Sequence, residues 1–186
     1  MMHPKDEITI VDDYFPRWMV DKVSKDLEFM PVRYNNSPYA DFDKARFFGS
    51  MLVENDSFVD IQPWWFIEYF NHCMWNDLCK EWTVGHCHRV LLNAQIAGQS
   101  GCDHTDADSD NYLSVIYMGH GNSGNTVFED DVVQWKLGRL VIFNSSVIHR
   151  GEGPESGYRV SLGAVYPSVP IRKPVSYTHL TLPTKA

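Results

Sequence analysis

The 186-residue sequence has no cluster of Lys and Arg, no Cys-x-x-Cys pair and no apolar run of membrane length. Its 16 basic residues stand against 24 acidic ones, for a formal net charge of −8. Binding to a phosphate backbone rests on basic clusters, so nucleic acid is a disfavoured partner. Apolar runs such as Leu140 to Phe143 fall far short of the roughly 20 residues a spanning helix needs. The opening MMHPKDEITI lacks the apolar stretch of a signal peptide. No membrane association and a cytoplasmic location are therefore expected. Cysteines at 73, 79, 87 and 102 lack the spacing of a disulfide framework, which a chain this size does not need. His86-Cys87-His88 has no partners at tetrahedral zinc spacing and reads as strand. Asn122-Ser123-Gly124 does not satisfy G-x-S-x-G, and no nucleophilic triad emerges.

What is present suits one globular domain, expected over residues 1–174. Hydrophobic residues make up 44% and aromatics 13%, with six Trp, as fits large side chains filling a barrel or sandwich. Ile8 to Val11 alternate as a short strand. Trp18, Met19, Val23, Leu27 and Met30 then recur at helical spacing, with Asp13 a candidate cap and Pro16 near the first turn. Asn35 to Asp43 reads as a loop. A second helix is expected over Pro63 to Glu81, apolar over most of its circumference and packed under a sheet, with Trp64 and Trp65 as core residues. Beyond residue 85 the texture changes. β-rich runs at 88–97, 112–118, 126–128, 139–144 and 158–166 alternate with Gly-rich turns, the pattern of a barrel or double-sheet jelly roll with a core over about 86–167.

Val175 to Thr184 reads VSYTHLTLPT, which resembles a sequencing-library adaptor translated in frame. Residues 175–186 are therefore set aside as a non-native tail, and His179 with them.

The chemistry concentrates in His104-Thr105-Asp106. Residues two apart on a strand point to one side, so an imidazole and a carboxylate can grip one metal ion from one face. His149, after the strand Leu140 to Phe143 and the turn-prone Asn144-Ser145-Ser146, is the best third ligand. Two His and one carboxylate with open positions are diagnostic of non-haem Fe(II) sites that activate O₂. Asp108 and Asp110 read as solvated loop acids, His120 as an exposed turn residue, and Arg150 as facing away from His149. Arg159 opens the apolar strand Val160 to Tyr166, which offers no acidic partner. A buried guanidinium needs an anion, and a dicarboxylate cosubstrate held through bidentate hydrogen bonds would serve. Ser161 shares its face.

Together, His104-x-Asp106, His149 and Arg159-x-Ser161 resemble the HxD…H…RxS signature of the 2-oxoglutarate- and Fe(II)-dependent dioxygenases. Ser123 to Phe128 is similar to the GGxTxF turn and strand of the prolyl 4-hydroxylase-like branch. Gly138 to Phe143 is similar to its strand before the distal His, and ITIVDDYFP to the start of its N-terminal support. Ser123 departs from that pattern, standing in place of the first glycine of the turn. The resemblance implies a mainly β double-stranded β-helix (jelly roll, cupin-like), with N-terminal helices packed on one sheet. It implies Fe(II), 2-oxoglutarate and O₂ as cofactor and cosubstrates, with ascorbate a further candidate. It also implies hydroxylation of a C–H bond in a peptidyl substrate, prolyl included, or a small-molecule one, with 2-oxoglutarate converted to succinate. Tyr117 is similar in place to a tyrosine that binds the distal carboxylate. Asn93 matches an asparagine of the oxidative nucleic-acid demethylase branch, and Gln95 shares its face. Two alternatives stay open: such a demethylase, and a cupin-like metal- or sugar-binding module without redox turnover.

Overall fold

A computed structural model of the protein describes residues 8–34, 48–55, 57–58, 65–80 and 82–170. The 35–43 loop, Trp64, Glu81 and the 175–186 tail lie outside them. The order is β1 (Thr9–Val11), α1 (Arg17–Glu28), β2 (Arg33–Tyr34), β3 (Phe48–Glu54), β4 (Ser57–Phe58), α2 (Trp65–Leu78), β5 (Trp82–Val84) and β6 (Arg89–Ile96). There follow β7 (Tyr112–His120), β8 (Thr126–Phe128), β9 (Val132–Val133), β10 (Leu140–Asn144), β11 (His149–Gly151) and β12 (Tyr158–Pro170).

Among the described residues the strands form two antiparallel sheets. The larger runs β1-β10-β7-β12-β6-β3-β2, with β4 beside β3 and β5 beside β12; the smaller runs β11-β8-β9. Long crossings between sheets mark a jelly roll, as expected. β3, whose buried residues fall in pairs rather than alternating, and the short β5 and β9 carry little period-two signal and were not legible beforehand.

Alternation along the central strands separates two cores. Leu113, Val115 and Tyr117 of β7, Leu140 of β10, Val90 and Leu92 of β6, and Val160 and Leu162 of β12 join Val23, Leu27, Phe66 and Phe70 of the helices. The opposite parity, Met118, Val141 and Phe143, meets Phe128 and Val133 of the smaller sheet. Each fully buried side chain of this size contributes about 1.5–3 kcal/mol.

Two helix expectations need correction. Pro16, not Asp13, occupies the N-cap of α1, and no side chain caps it. Asp13 instead takes a left-handed conformation at φ 56°, with its carboxylate 3.4 Å from Lys136 Nζ. α2, apolar over most of its circumference, is buried on one face only: Phe66, Ile67, Phe70 and Met74 are buried, while the aromatic Tyr69 and Trp75 stay exposed. Trp65 lies on the surface, its indole N–H donating to Asp26 and its ring under Lys22 Nζ. Among the described residues no helix is long and apolar enough to cross a membrane.

Candidate active site

His104 and His149 form an isolated antiparallel bridge between the 104 segment and β11, beside a bond from the Gly101 N–H to the Gly151 carbonyl. This pairing brings the two imidazole centroids to 4.4 Å. Each Nδ1 lies 3.0 Å from a carbonyl two residues earlier, Cys102 for His104 and Val147 for His149. A carbonyl only accepts, so each Nδ1 carries the proton and each Nε2 keeps its lone pair for a ligand. Asp106 is drawn in by its backbone N–H, 2.9 Å from the Ser145 carbonyl. Its Oδ2 lies 3.7 Å from His149 Nε2. One ligand atom from each of the three residues falls within 4.8 Å of the other two. Burial pushes the His149 pKa below the ordinary imidazole value, with the Asp106 carboxylate opposing it, and a neutral ring is the form that binds metal.

Three residues that sequence reasoning missed hold Asp106. Arg89 Nη2 donates to Oδ1 at 2.8 Å. Ser114 Oγ donates to Oδ2 at 2.7 Å, and lies 2.8 Å from Ser145 Oγ. Faint signals existed. Arg89 shares the strand parity of Asn93 and Gln95, and Ser114 is a hydroxyl on an otherwise apolar inter-sheet row of β7.

The second half of the site lies further along the same face. Arg159 is 3% exposed on β12, opposite Gln95 on β6. Its Nη1 donates to the carbonyls of Gly124 and Asn125, at 2.5 and 3.0 Å. Its Cζ lies over the Trp135 ring, 5.3 Å from the centroid. Among the described residues no carboxylate is in ion-pair contact with it, and its Nε has no partner. Burial lowers its pKa to about 10, Glu152 partly opposing, so it remains a cation at neutral pH. Gly151 makes the room: a Cβ there would meet Arg159 Nη2 at 2.4 Å and Gln95 Oε1 at 2.9 Å. Since Gly151 lies two residues from His149 on β11, the guanidinium sits beneath the strand that carries the metal-ligand candidate.

Ser161 is buried opposite Asn93, whose Oδ1 is buried without a partner. Gln95 faces the same interior, but its amide is engaged with the Gly151 carbonyl at 2.9 Å. Thr126 Oγ1, on β8, is another buried oxygen without a partner. Tyr117 does not join this group. Its ring lies 5.8 Å from Phe15, 5.2 Å from Phe66 and 6.2 Å from Phe70 by centroid. It therefore faces the helices, because it is three residues, an odd number, from Ser114. The expected cosubstrate contact from Tyr117 is corrected accordingly. His120 is not an exposed turn residue either: it ends β7, its Nδ1 3.0 Å from Ser24 Oγ and its ring stacked on Tyr158. Arg150 does face away, pairing with Asp103.

No family model matches the chain, and no curated protein matches it. Solved structures do. An oxidoreductase of the 2OG-Fe(II) oxygenase family from Burkholderia pseudomallei superposes with a TM-score of 0.63 at 14% identity, covering 86% of this chain and 84% of that one. A prolyl-4-hydroxylase from Pseudomonas putida gives 0.64 at 12%, covering 86% and 92%. This chain has the 2OG-Fe(II) oxygenase fold. A prolyl hydroxylase from Trichoplax adhaerens, solved with a hypoxia inducible factor peptide fragment, gives 0.62 at 14%, covering 86% and 83%. Within the oxygenase fold the His104, Asp106, His149 cluster and Arg159 both lie between the two sheets, at successive levels of one interior.

Proposed function

We propose that this chain is an Fe(II)- and 2-oxoglutarate-dependent dioxygenase that hydroxylates a C–H bond of a peptidyl, including prolyl, or small-molecule substrate. The observation that carries the reading is Arg159: a buried cation with no carboxylate in ion-pair contact among the described residues, below the metal-ligand cluster. Burying an unpaired charge is unfavourable by several kcal/mol, so the site is built for an anion that arrives with the reaction. The donor set fits the metal. Two Nε2 lone pairs and one carboxylate oxygen are the donors suited to a non-haem Fe(II) ion, and three protein ligands would leave it room for a chelating cosubstrate and O₂.

His104 Nε2, His149 Nε2 and Asp106 would hold Fe(II). Arg159 and Ser161 would hold the distal carboxylate of 2-oxoglutarate, with the unpartnered Thr126 hydroxyl a further donor and Asn93 reaching it through its amide N–H, since its free Oδ1 only accepts. When bound, these partners supply oxidising power: 2-oxoglutarate and O₂ give succinate and CO₂, and the substrate C–H becomes C–OH. The protein's part is to orient. The carbonyls of Cys102 and Val147 fix the imidazole tautomers, and the Gly124 and Asn125 carbonyls fix one edge of Arg159. The apolar wall of Met118, Phe128 and Phe143 keeps bulk water from the cluster. The cupin-like alternative leaves Arg159 without an anion to meet. Ascorbate, as a reductant that restores Fe(II), is part of the proposed assay.

The test is succinate release from 2-oxoglutarate by the purified protein with Fe(II), ascorbate and a panel of proline-rich peptides, amino acids and methylated oligonucleotides. Turnover that needs iron and is abolished by His104→Ala or Asp106→Ala is expected. Iron-independent turnover, or full activity in both variants, overturns the reading.

A further inference from the structure

We infer that Arg89 is a positioning residue that restricts Asp106 to a single ligand oxygen and so keeps the rest of the metal's coordination sphere open; the inference rests on the functional reading above. A carboxylate beside a metal ion can bind through one oxygen or both. Bidentate binding by Asp106 would fill a position that a chelating cosubstrate and O₂ need. What decides between them is how the two oxygens are occupied by the protein.

In this structure they are occupied unequally. Oδ1 accepts from Arg89 Nη2 at 2.8 Å, a charge-assisted bond of the stronger kind. Among the described residues Oδ2 accepts only from the neutral Ser114 hydroxyl, at 2.7 Å, and it lies 3.7 Å from His149 Nε2. Oδ2 therefore keeps a lone pair for the metal on the side where the imidazoles converge, while Oδ1 is turned to the guanidinium. The same Nη2 also reaches the Asp106 backbone carbonyl at 3.4 Å, so Arg89 grips the residue at two points. Arg89 can do this because of register. It pairs with Val165, and Val165 pairs with Ser114, so the three stand in one row across β6, β12 and β7 with Asp106 above them. The Arg89 side chain is 30% exposed and that of Asp106 15%, a shielded setting in which such a bond holds better than on an open surface.

The reading separates Arg89 from Arg159. Among the described residues Arg159 has no carboxylate in ion-pair contact, whereas Arg89 has one, in the carboxylate it would share with the metal. Arg89 thus acts through Asp106 and not on the cosubstrate.

The experiment uses the full chain loaded with Co(II), whose visible absorption reports coordination number without turnover. Wild type, Arg89→Met and Arg89→Lys are compared before and after addition of 2-oxoglutarate under anaerobic conditions. The Met variant is expected to show an altered Co(II) spectrum before any cosubstrate is added, and to bind 2-oxoglutarate about tenfold more weakly, within the roughly 10–100-fold that partners of metal ligands control. Arg89→Lys, which keeps a cationic donor, is expected to retain the wild-type spectrum. A Met variant with wild-type spectrum and cosubstrate affinity overturns the inference alone, and so does a folded Lys variant as altered as the Met variant. If the Met variant fails to fold, the Lys variant still decides. Wild-type protein that takes up no Co(II) overturns the functional reading and this inference with it.

Discussion

His104 and His149 hold each other by the backbone: the N–H of His104 donates to the His149 carbonyl at 3.0 Å, and the N–H of His149 returns the bond at 2.9 Å. Two ligand candidates are thereby fixed by a strand bridge before any metal arrives. Metal binding then adds stability to a preformed pair rather than organising a loose one. Stripping metal with a chelator is expected to leave the circular dichroism spectrum unchanged, and adding Fe(II) or Co(II) in excess to raise the melting temperature by mass action. Loss of β structure on chelation would contradict the preformed bridge.

Gly151→Ala probes the room around Arg159. The added Cβ would lie 2.4 Å from Nη2 and must push the guanidinium away from its place under β11. A rise in the KM for 2-oxoglutarate of tenfold or more is expected, equivalent to about 1.4 kcal/mol. The Co(II) affinity should stay near wild type, since no ligand atom moves.

Tyr117→Phe tests the corrected placement. Its hydroxyl is buried without a partner among the described residues, and burial raises its pKa well above the ordinary tyrosine value. Removing an unsatisfied buried hydroxyl is expected to stabilise the fold by about 1 kcal/mol, with no change in the KM for 2-oxoglutarate. A weakened KM would return Tyr117 to the cosubstrate.

Asp12 and Arg139 tie the end of β1 to the start of β10, with Nε to Oδ1 at 2.7 Å and Nη2 to Oδ2 at 2.9 Å. The Arg139 hydrogen bonds depress the Asp12 pKa from 3.8 to about 2. A carboxylate with a depressed folded pKa contributes stability that is present above its unfolded pKa and is lost as pH falls through the folded one. Asp12→Asn is therefore expected to melt below wild type at neutral pH, with the gap closing between about pH 4 and pH 2. A gap that persists unchanged at pH 2 would assign the loss to packing instead.

Much of the site was legible in the chain because its signals are local. His104 and Asp106 are two apart, His149 follows a strand and a turn, and Arg159 opens an apolar strand that offers no acid to meet it. Period-two alternation between Gly-rich turns was enough for the jelly roll. Sequence by itself thus named the three candidate donors that the fold brings together, and the fold class. Tertiary structure decided the rest. β7 is buried on both faces, with Ser114, Val115, Tyr117 and Met118 all inaccessible, so alternation could divide its residues into two rows without saying which row met the cluster. Only the packing of Phe15, Phe66 and Phe70 against one row turned Tyr117 to the helices and left Ser114 for Asp106. Arg89 and Asp106 lie on different segments and meet only through the β6-β12-β7 register, a long-range pairing that no local period encodes.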